Sequence, residues 1–162
     1  IDVVTERRPL GTGGAIKNAM RFAAVKDAVV VNGDTYVGGQ LDCMWATRNP
    51  LANNKTLMAV VKVTNRSRFG GVNIDARGKV CSFLEKTTTG PGLINAGIYR
   101  ISLGTLERVK YDQFSLEELL LPCLASEGSL HSEEIQGPFI DIGTPDDYRI
   151  FSENLDSYVN ET

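Results

Sequence analysis

Two stretches near the start of the chain decide the predicted fold: residues 9–15, PLGTGGA, and residues 28–34, AVVVNGD. The first is a glycine-rich turn that opens a helix, and glycine lets backbone N–H groups approach a ligand closely. The second is a continuous apolar strand that leads to Asp34, at the edge where α/β sheets hold their ligands. Each motif alone also has a structural explanation, as a helix start or a turn. Together they predict an α/β unit that handles a nucleotide and a metal.

Composition and charge place the chain among ordinary globular proteins. It has 162 residues, 42% hydrophobic and 23% charged, and a formal net charge of −3. This length supports one domain with a substantial core. No basic run is present, which argues against a nucleic-acid polymer as partner. No apolar run has the length of a membrane span, and the N-terminus lacks signal-peptide character, so a soluble cytoplasmic protein is expected.

Other common classes of site find little support in the sequence. The three cysteines are odd in number and widely spaced, which argues against a disulfide framework or a zinc site. His131 is the only histidine, and no nucleophile-elbow pattern surrounds a serine or cysteine. The phosphate-binding pattern Gly-x-x-x-x-Gly-Lys-Ser/Thr is also absent. These observations disfavour triad hydrolases and P-loop enzymes.

Hydrophobic periodicity and turn residues predict alternating helices and strands over residues 1–162, with no repeat or linker that would divide them. The strands are expected at 1–5, 28–31, 56–63, 93–101 and 139–142, and a hairpin is expected to pair 72–74 with 79–84. A capping box at Ser115–Glu118 predicts a helix whose buried face carries Leu116, Leu119, Leu120, Cys123 and Leu124. Thr144 as N-cap and Pro145 start a last helix, which Phe151 and Leu155 are expected to anchor.

Two aspartates are candidates for a metal site. Asp34 and Asp141 each follow an apolar strand and precede a turn, although they lie far apart in the chain. If the two strand ends meet at one sheet edge, the carboxylates suit Mg²⁺, which takes one or two protein carboxylates and shares its remaining positions with phosphates and water. The alternative is that both residues only cap turns.

Charged and polar residues in the middle of the chain form a second candidate site. Glu85 and Lys86 follow a predicted strand directly, where Glu can hold sugar hydroxyls and Lys can neutralise a phosphate. Asn95 is followed by Gly97 inside a predicted strand, and a strand glycine often marks the close approach of a ligand. A solvated ion pair and a β-bulge without a ligand are the corresponding structural alternatives.

Taken together, the motifs resemble the sugar-phosphate nucleotidyltransferases, and most of all the heptose-1-phosphate and mannose-1-phosphate guanylyltransferases. The resemblance extends over nearly the whole chain, and its motifs occur in the family's order. They are Glu6 with PLGTGG (9–14), NGD (32–34), SRFG (67–70), FLEK (83–86), INAGIY (94–99) and FIDIGTP (139–145). The implied fold is a Rossmann-like, three-layer α/β nucleotidyltransferase fold with a mixed, mostly parallel sheet and a β-hairpin.

The resemblance also implies roles for individual residues. The catalytic residues would be Asp34, Lys86 and Asp141, with Mg²⁺ held by the two aspartates. The nucleoside triphosphate would contact Glu6, Pro9, Leu10, Gly11, Thr12, Gly13 and Asp34. The sugar 1-phosphate would contact Gly70, Glu85, Lys86, Asn95 and Gly97.

This chain departs from the family pattern at two places. Thr87 follows the Glu-Lys pair where the family usually has proline. Family members also begin with a strand and a Gly-x-Gly-Thr-Arg-Leu loop around the triphosphate, and neither occurs in this sequence. The resemblance therefore implies that the N-terminal part of the domain is missing, and it leaves open whether these residues alone are active.

The implied reaction joins a nucleoside triphosphate, GTP on overall likeness, to a heptose or mannose 1-phosphate, releasing pyrophosphate. Its product would feed surface-polysaccharide synthesis. Two alternatives are a metal-dependent glycosyltransferase, although no Asp-x-Asp occurs, and a non-catalytic sugar-nucleotide-binding or regulatory domain, in which both aspartates would be superfluous. The base, the sugar and the oligomeric state are open, with a homo-oligomer among the possibilities.

Overall fold

The computed structural model describes residues 1–39, 41–45 and 56–160. The helices are α1 (Gly11–Phe22), α2 (Asp42–Trp45), α3 (Leu103–Glu107), α4 (Leu121–Ser126), α5 (Pro145–Glu153) and α6 (Leu155–Asn160), and a π-helical turn (Leu116–Leu120) leads into α4. The strands are β1 (Asp27–Val31), β2 (Thr35–Val37), β3 (Thr56–Val63), β4 (Gly71–Ile74), β5 (Val80–Leu84), β6 (Gly92–Ser102), β7 (Leu130–Glu134) and β8 (Phe139–Asp141). No described helix combines the length and apolar character that crossing a membrane requires.

Four of these strands form the main sheet of the described residues, in the order β1-β6-β3-β7. Strand β6 runs antiparallel to both β1 and β3, and β7 runs parallel to β3. Strands β1, β3 and β7 therefore share one direction and β6 opposes them. The prediction of a mixed sheet with most strands parallel is confirmed, although two of its three pairings are antiparallel because β6 lies between β1 and β3.

Strand β3 shows why the sheet is covered on both faces. Its first six residues, Thr56–Val61, are all buried. Alternate side chains enter two separate cores: Met58 and Val60 pack with α1, α3, the π-helical turn and α4, whereas Leu57, Ala59 and Val61 pack with α2, β2 and β8. Successive residues of a strand point to opposite faces, so a continuous apolar run is explained only by two covered faces. The predicted three-layer α/β class is confirmed.

Strand β1 differs from its prediction in burial. Its apolar run favoured a strand covered on both faces, yet its apolar residues are half-buried at most, and Val31 is 51% exposed. The position of β1 at the edge of the described sheet explains this, because a strand with one neighbour has fewer residues packed around it.

The predicted hairpin is confirmed, with β4 and β5 paired antiparallel. Its turn is held by the Asp75 carboxylate, which accepts N–H bonds from Arg77 (2.8 Å) and Lys79 (2.9 Å). These two bonds stabilise the charged carboxylate and lower the pKa of Asp75. The hairpin ends at Leu84, so its geometry determines where the following Glu85 and Lys86 lie.

The buried face of the helix that follows Ser115 differs in part from the predicted one. Ser115 caps the helix as expected, accepting the Glu118 N–H at 3.0 Å, but the first turn is π-helical. Such a turn holds one extra residue, which shifts the buried stripe. Leu116, Leu120 and Leu124 are buried as predicted and Leu121 is buried as well, whereas Leu119 is 45% exposed and Cys123 is exposed.

Both ends of the described chain need a correction. The predicted strand at Ile1–Thr5 is wrong: this segment joins no sheet in the part of the chain that the structure describes, and most of it is exposed. Helix α5 begins with Thr144 as N-cap and Pro145, as predicted, and Phe151 packs on Tyr36 with ring centroids 5.2 Å apart. Leu155, however, starts α6 and is 46% exposed, so it does not anchor the helix.

Candidate active site

A cavity of about 410 Å³ lies beside the β4–β5 hairpin, between strand β6 and the helix that follows Ser115. It brings together residues from five separate parts of the sequence. The residues that line it are Arg68, Phe69, Gly70, Gly71, Val72, Phe83, Leu84, Glu85, Lys86, Asn95, Glu117, Leu121, Pro122 and Asp141. Of the residues predicted to contact a sugar phosphate, the cavity includes Gly70, Glu85, Lys86 and Asn95.

Gly70 determines how closely two segments of this cavity approach each other. Its φ of +77° is a left-handed conformation, and a Cβ at this position would lie 2.6 Å from the Leu84 carbonyl oxygen. Only glycine combines that backbone conformation with that contact. The loop before β4 can therefore lie against the end of β5, and the exposed side chains of Glu85 and Lys86 follow at the cavity edge.

Asn95 on β6 is held in one orientation. Its Nδ2 donates to the Tyr99 hydroxyl at 2.7 Å, and its Oδ1 accepts the Gly97 N–H at 2.9 Å. A backbone N–H is only a donor, so it must face the amide oxygen, which decides between the two possible amide orientations. Asn95 therefore presents a defined hydrogen-bonding edge to the cavity.

Gly97 has a structural role, and its contact with a sugar stays a prediction. It is buried, does not line the cavity, and has a φ of +70° where β6 bulges opposite β3. A Cβ would lie 2.7 Å from Asn32 Nδ2, and the Gly97 carbonyl accepts the Asn32 N–H at 2.9 Å. Glycine is thus required for packing of the loop that carries Asp34.

Asp34 and Asp141 lie at the same sheet edge, as predicted. Strands β2 and β8 pair with Thr35 opposite Asp141, and the Ile142 N–H donates to the Asp34 carbonyl at 2.8 Å. A Cβ at Gly143 would lie 2.9 Å from Asp141 Oδ1 and 3.5 Å from Asp34 Oδ2. The two carboxylates therefore flank one small space, which the absence of a side chain at residue 143 leaves open.

These two carboxylates fit a magnesium ion by their donor chemistry. Both supply hard oxygen ligands, and Mg²⁺ typically takes one or two protein carboxylates together with phosphate and water oxygens. The described residues contain no group of three or more histidine, cysteine or acidic side chains arranged for a metal. Asp141 Oδ1 also accepts the Gly143 N–H at 2.8 Å, which orients this carboxylate at the edge of the cavity.

An ion pair links the cavity to the helix that follows Asp141. Arg68 lines the cavity and donates from both terminal nitrogens to Asp147, at 3.0 and 2.5 Å. This paired hydrogen bonding, with a further bond from Thr144, lowers the pKa of Asp147 to about 2. Arg68 thereby joins the loop before β4 to the N-terminus of α5.

The glycine-rich turn at residues 9–15 lies outside this cavity, and protein atoms occupy the space beside its glycines. Cβ atoms at Gly13 and Gly14 would lie 2.1 Å from the Phe114 ring and 2.2 Å from the Asp112 carbonyl oxygen. The N–H groups of both glycines donate to the Phe114 carbonyl, at 3.1 and 3.3 Å. Gly13 is buried and its N–H is already bonded, and its contact with a nucleotide stays a prediction.

The other residues predicted for the nucleotide surround this packed turn. The Glu6 carboxylate accepts the Leu10 N–H at 3.0 Å and shapes the entry into α1. Pro9, Gly11 and Thr12 are exposed, and Leu10 is half-buried. None of these five residues lines the 410 Å³ cavity. Their contact with a nucleotide stays a prediction.

Sequence reasoning missed several residues of the cavity. Arg68 was part of a recognised motif without a role, and Glu117, Leu121 and Pro122 belong to a segment interpreted only as a core-facing helix. Glu117 is half-buried and accepts hydrogen bonds from Thr12 and Tyr99. No local pattern separates such a glutamate from a solvated one, because its partners are 105 and 18 residues away.

Comparisons with known proteins identify the family to which the chain is similar. The model of the nucleotidyl transferase family matches residues 1–157. D-glycero-alpha-D-manno-heptose 1-phosphate guanylyltransferase from Campylobacter jejuni is 35% identical over 150 residues, covering 90% of this chain and 63% of that protein. Mannose-1-phosphate guanylyltransferase from Mycobacterium tuberculosis is 33% identical, covering 91% of this chain and 42% of that protein.

A solved structure shows the same fold. HddC from Yersinia pseudotuberculosis, also determined in complex with GMP-PN, superposes with a TM-score of 0.79 at 36% identity, covering 95% of this chain and 66% of that one. The chain thus spans a little under two thirds of the Campylobacter and Yersinia relatives, and less of the mannose-specific one. With its family motifs and its fold both matched, this chain belongs to the nucleotidyl transferase family.

Proposed function

We propose that the protein is a sugar-1-phosphate nucleotidyltransferase that joins GTP to a heptose or mannose 1-phosphate. The observation that carries this proposal is the cavity, which unites Glu85, Lys86, Asn95 and Asp141 from distant parts of the chain. Relatives named for this activity on heptose and mannose 1-phosphates support the choice of substrates. The complex of the Yersinia relative with GMP-PN supports a guanine nucleotide.

The cavity residues suit the two parts of a sugar phosphate. A volume of about 410 Å³ lies at the lower end of the range of small-molecule sites, which fits a hexose or heptose. Lys86 supplies a compact positive charge for the phosphate, and Glu85 accepts hydrogen bonds from sugar hydroxyls. Asn95 adds a fixed amide edge, and Gly70 lets its loop pack against the end of β5, directly before Glu85 and Lys86.

Asp34 and Asp141 would hold Mg²⁺ at the sheet edge beside Gly143. When bound there, the ion would neutralise negative charge on the phosphates. Asp141 also lines the cavity, so the proposed metal site and sugar-phosphate site share one residue. Charge neutralisation and positioning supply most of the catalysis in phosphoryl transfer.

The nucleotide would lie along the exposed side of the turn, in contact with Glu6, Pro9, Leu10, Gly11 and Thr12. In the reaction, an oxygen of the sugar 1-phosphate attacks the α-phosphorus, a new P–O bond forms, and the bond to the β-phosphate breaks to release pyrophosphate. A phosphate monoester is largely dianionic at neutral pH, with a second pKa of about 6, so no protein base is required. This chemistry is consistent with a single histidine outside the cavity.

The cellular setting follows from the proposed product. A nucleotide sugar of this type would serve surface-polysaccharide synthesis. The cytoplasmic location stays a prediction of the sequence, which leaves the oligomeric state open.

The decisive experiment measures pyrophosphate release by the full-length protein with Mg²⁺, five nucleoside triphosphates and mannose or heptose 1-phosphate. We expect release to require both substrates and to be fastest with GTP. Asp141→Asn should lower kcat/KM by about 100-fold or more. Lys86→Met should raise the KM for the sugar phosphate about tenfold or more, since a hydrogen bond to a charged group is lost.

Lys62→Met is the matched control, because Lys62 is exposed on β3 and does not line the cavity. It should leave both constants within about twofold of wild type. If the folded protein binds a sugar nucleotide but releases no pyrophosphate with any substrate pair, the transferase proposal is wrong and a regulatory domain explains the site. Transfer of a sugar from a nucleotide sugar would instead identify a glycosyltransferase.

A further inference from the structure

Three hydroxyl groups converge on the carboxylate of Glu117, which lies on the π-helical turn. Thr12 and Ser115 donate to Glu117 Oε2 at 2.5 and 3.3 Å. Tyr99 donates to Glu117 Oε1 at 3.4 Å. Thr12 belongs to the start of α1 and Tyr99 to β6, so this one side chain connects the glycine-rich turn to the sheet.

The directions of these hydrogen bonds are determined by N–H groups that donate to the same three hydroxyl oxygens. Each hydroxyl oxygen already accepts one N–H: Thr12 from the backbone of Leu116 (2.8 Å), Ser115 from that of Glu118 (3.0 Å), and Tyr99 from Asn95 Nδ2 (2.7 Å). A hydroxyl cannot direct its own proton at a donor, so each proton points to Glu117. An ionised carboxylate, which only accepts, is the group that satisfies all three.

The network extends from Glu117 into the cavity through Tyr99. The Tyr99 side chain is 1% exposed, and burial raises the pKa of its hydroxyl, which therefore stays a donor. A Tyr99 hydroxyl that gives its proton to Glu117 can only accept from Asn95, in agreement with the amide orientation that the Gly97 N–H requires. Asn95 consequently turns its nitrogen to Tyr99 and its oxygen to the Gly97 N–H. Glu117, acting through Tyr99, and the Gly97 N–H therefore require the same orientation of the Asn95 amide.

We propose that Glu117 is a positioning residue, which fixes the Asn95 amide in the sugar-phosphate cavity through Tyr99 and ties that cavity to the nucleotide turn through Thr12. This inference rests on the proposed function for its kinetic consequence. The hydrogen-bond arrangement that it describes is independent of which substrate binds.

Glu117→Gln tests the proposal because it replaces one carboxylate oxygen by an NH₂ group of similar size and removes the charge. Thr12 and Ser115 both donate to Oε2, so the single oxygen of Gln stays on their side and its NH₂ group faces Tyr99. Tyr99 must then direct its proton at Asn95. The Asn95 amide can receive it only by turning over, which would place its nitrogen against the Gly97 N–H.

We expect Glu117→Gln to raise the KM for the sugar 1-phosphate about tenfold and to leave the KM for GTP within about twofold. Tyr99→Phe breaks the same connection and should have the same effect. The double variant should then be no worse than either single one, because both remove one interaction. Glu118→Gln is the matched control, since Glu118 is exposed on the same turn and carries the same charge. It should match wild type.

A second measurement needs no substrate: NMR of the ¹⁵N-labelled Asn95 side-chain amide in the same variants. Slow hydrogen exchange in wild type and Glu118→Gln, with fast exchange and shifted resonances in Glu117→Gln and Tyr99→Phe, would support the proposal. An unchanged Asn95 amide in a folded Glu117→Gln would overturn it, as would KM effects that multiply in the double variant. Absence of turnover in wild type would refute the proposed function alone, and the NMR result would still decide this inference.

Discussion

Two glycine-containing regions of this molecule make equally close contacts with protein but differ in what lies beside those contacts. At Gly13 and Gly14 the missing side chains are replaced by protein, because Phe114 and Asp112 occupy the positions that Cβ atoms would need. At Gly70 the left-handed backbone likewise brings a loop against β5, where the Leu84 carbonyl oxygen would lie 2.6 Å from a Cβ, but this contact lies beside an open cavity of about 410 Å³. The glycine-rich turn predicted a ligand contact in the first region, and the family resemblance implied one in the second. Glycine therefore indicates close approach of protein segments in both regions, and the tertiary structure decides whether a cavity lies beside them.

This difference predicts that the turn governs stability and that the cavity edge governs substrate binding. The free energy of unfolding should fall most for substitutions in the turn. It should change least for exposed cavity residues, whose substitution acts on catalysis instead.

The largest loss of stability is expected for Gly14→Ala. Its new Cβ would lie 2.2 Å from the Asp112 carbonyl oxygen, a backbone atom that can move only with its whole segment. We expect a loss of about 3 kcal/mol in the free energy of unfolding, measured by urea denaturation. Gly33→Ala is the control, because no atom lies within 4 Å of a Cβ there, and it should cost under about 0.5 kcal/mol. Equal losses at the two positions would contradict the packed turn.

Thr12→Val should have the next largest effect. The Thr12 hydroxyl accepts the N–H of buried Leu116 at 2.8 Å, and valine would leave that donor unpaired. The expected loss is about 1–3 kcal/mol in the same denaturation assay. Thr12→Ser keeps the hydroxyl and should retain most of the stability. A valine variant as stable as the serine variant would show that the turn does not depend on this bond.

A smaller, pH-dependent effect is expected at the cavity edge for Asp147→Asn. Pairing with Arg68 lowers the pKa of Asp147 to about 2, below the value of about 3.9 in an unfolded chain. The pair therefore stabilises the fold above about pH 4, and this contribution is lost as the pH falls from about 4 to about 2. Thermal unfolding midpoints should be higher for wild type than for Asp147→Asn at pH 7 and should converge at the acid end.

Asp146→Asn serves as the control for that pH series. It removes the charge of the preceding residue and leaves the bond between Arg68 and Asp147 in place. It should keep the acid-dependent loss of stability that wild type shows. If both variants lose the acid dependence of the unfolding midpoint, the overall charge of the protein, and not this pair, causes the effect.

Lys86→Met should change stability least. Lys86 is exposed at the cavity edge, and surface substitutions away from packed features usually stay within about 0.5 kcal/mol. Its effect should appear in the KM for the sugar phosphate instead. A loss of stability as large as that of Thr12→Val would show that Lys86 stabilises the fold. The cavity edge would then not differ from the turn in its effect on stability.

Much of the fold followed from local patterns. Strand β3 has the bounds that its apolar run predicted, the hairpin pairs as its turn residues indicated, and Thr144 caps α5. The errors arose where distant contacts decide. Ile1–Thr5 has strand-like residues but pairs with no strand among the described residues, and the π-helical turn buries Leu121 and exposes Leu119. That the chain forms a single domain stays a prediction.

The candidate site was predictable to the extent that its residues occur in motifs. Glu85, Lys86, Asn95 and Asp141 were identified and do share one cavity. The packing roles of Gly13 and Gly97 were not predicted, because their neighbours, Phe114 and Asn32, come from distant segments. Glu117 was missed for the same reason: its role depends on hydroxyls brought to it by α1 and β6.

The sequence by itself determined the family, the α/β class, most strand bounds, the caps at Ser115 and Thr144, and the set of polar residues around the sheet edge. These depend on local periodicity, on turn chemistry and on motif order, all of which are written along the chain. Only the tertiary structure decided which glycines pack against protein, which face of the helix after Ser115 is buried, and which carboxylate holds Asn95 in place. Those outcomes depend on contacts between residues as far as 105 positions apart, and such contacts exist only once the chain has folded.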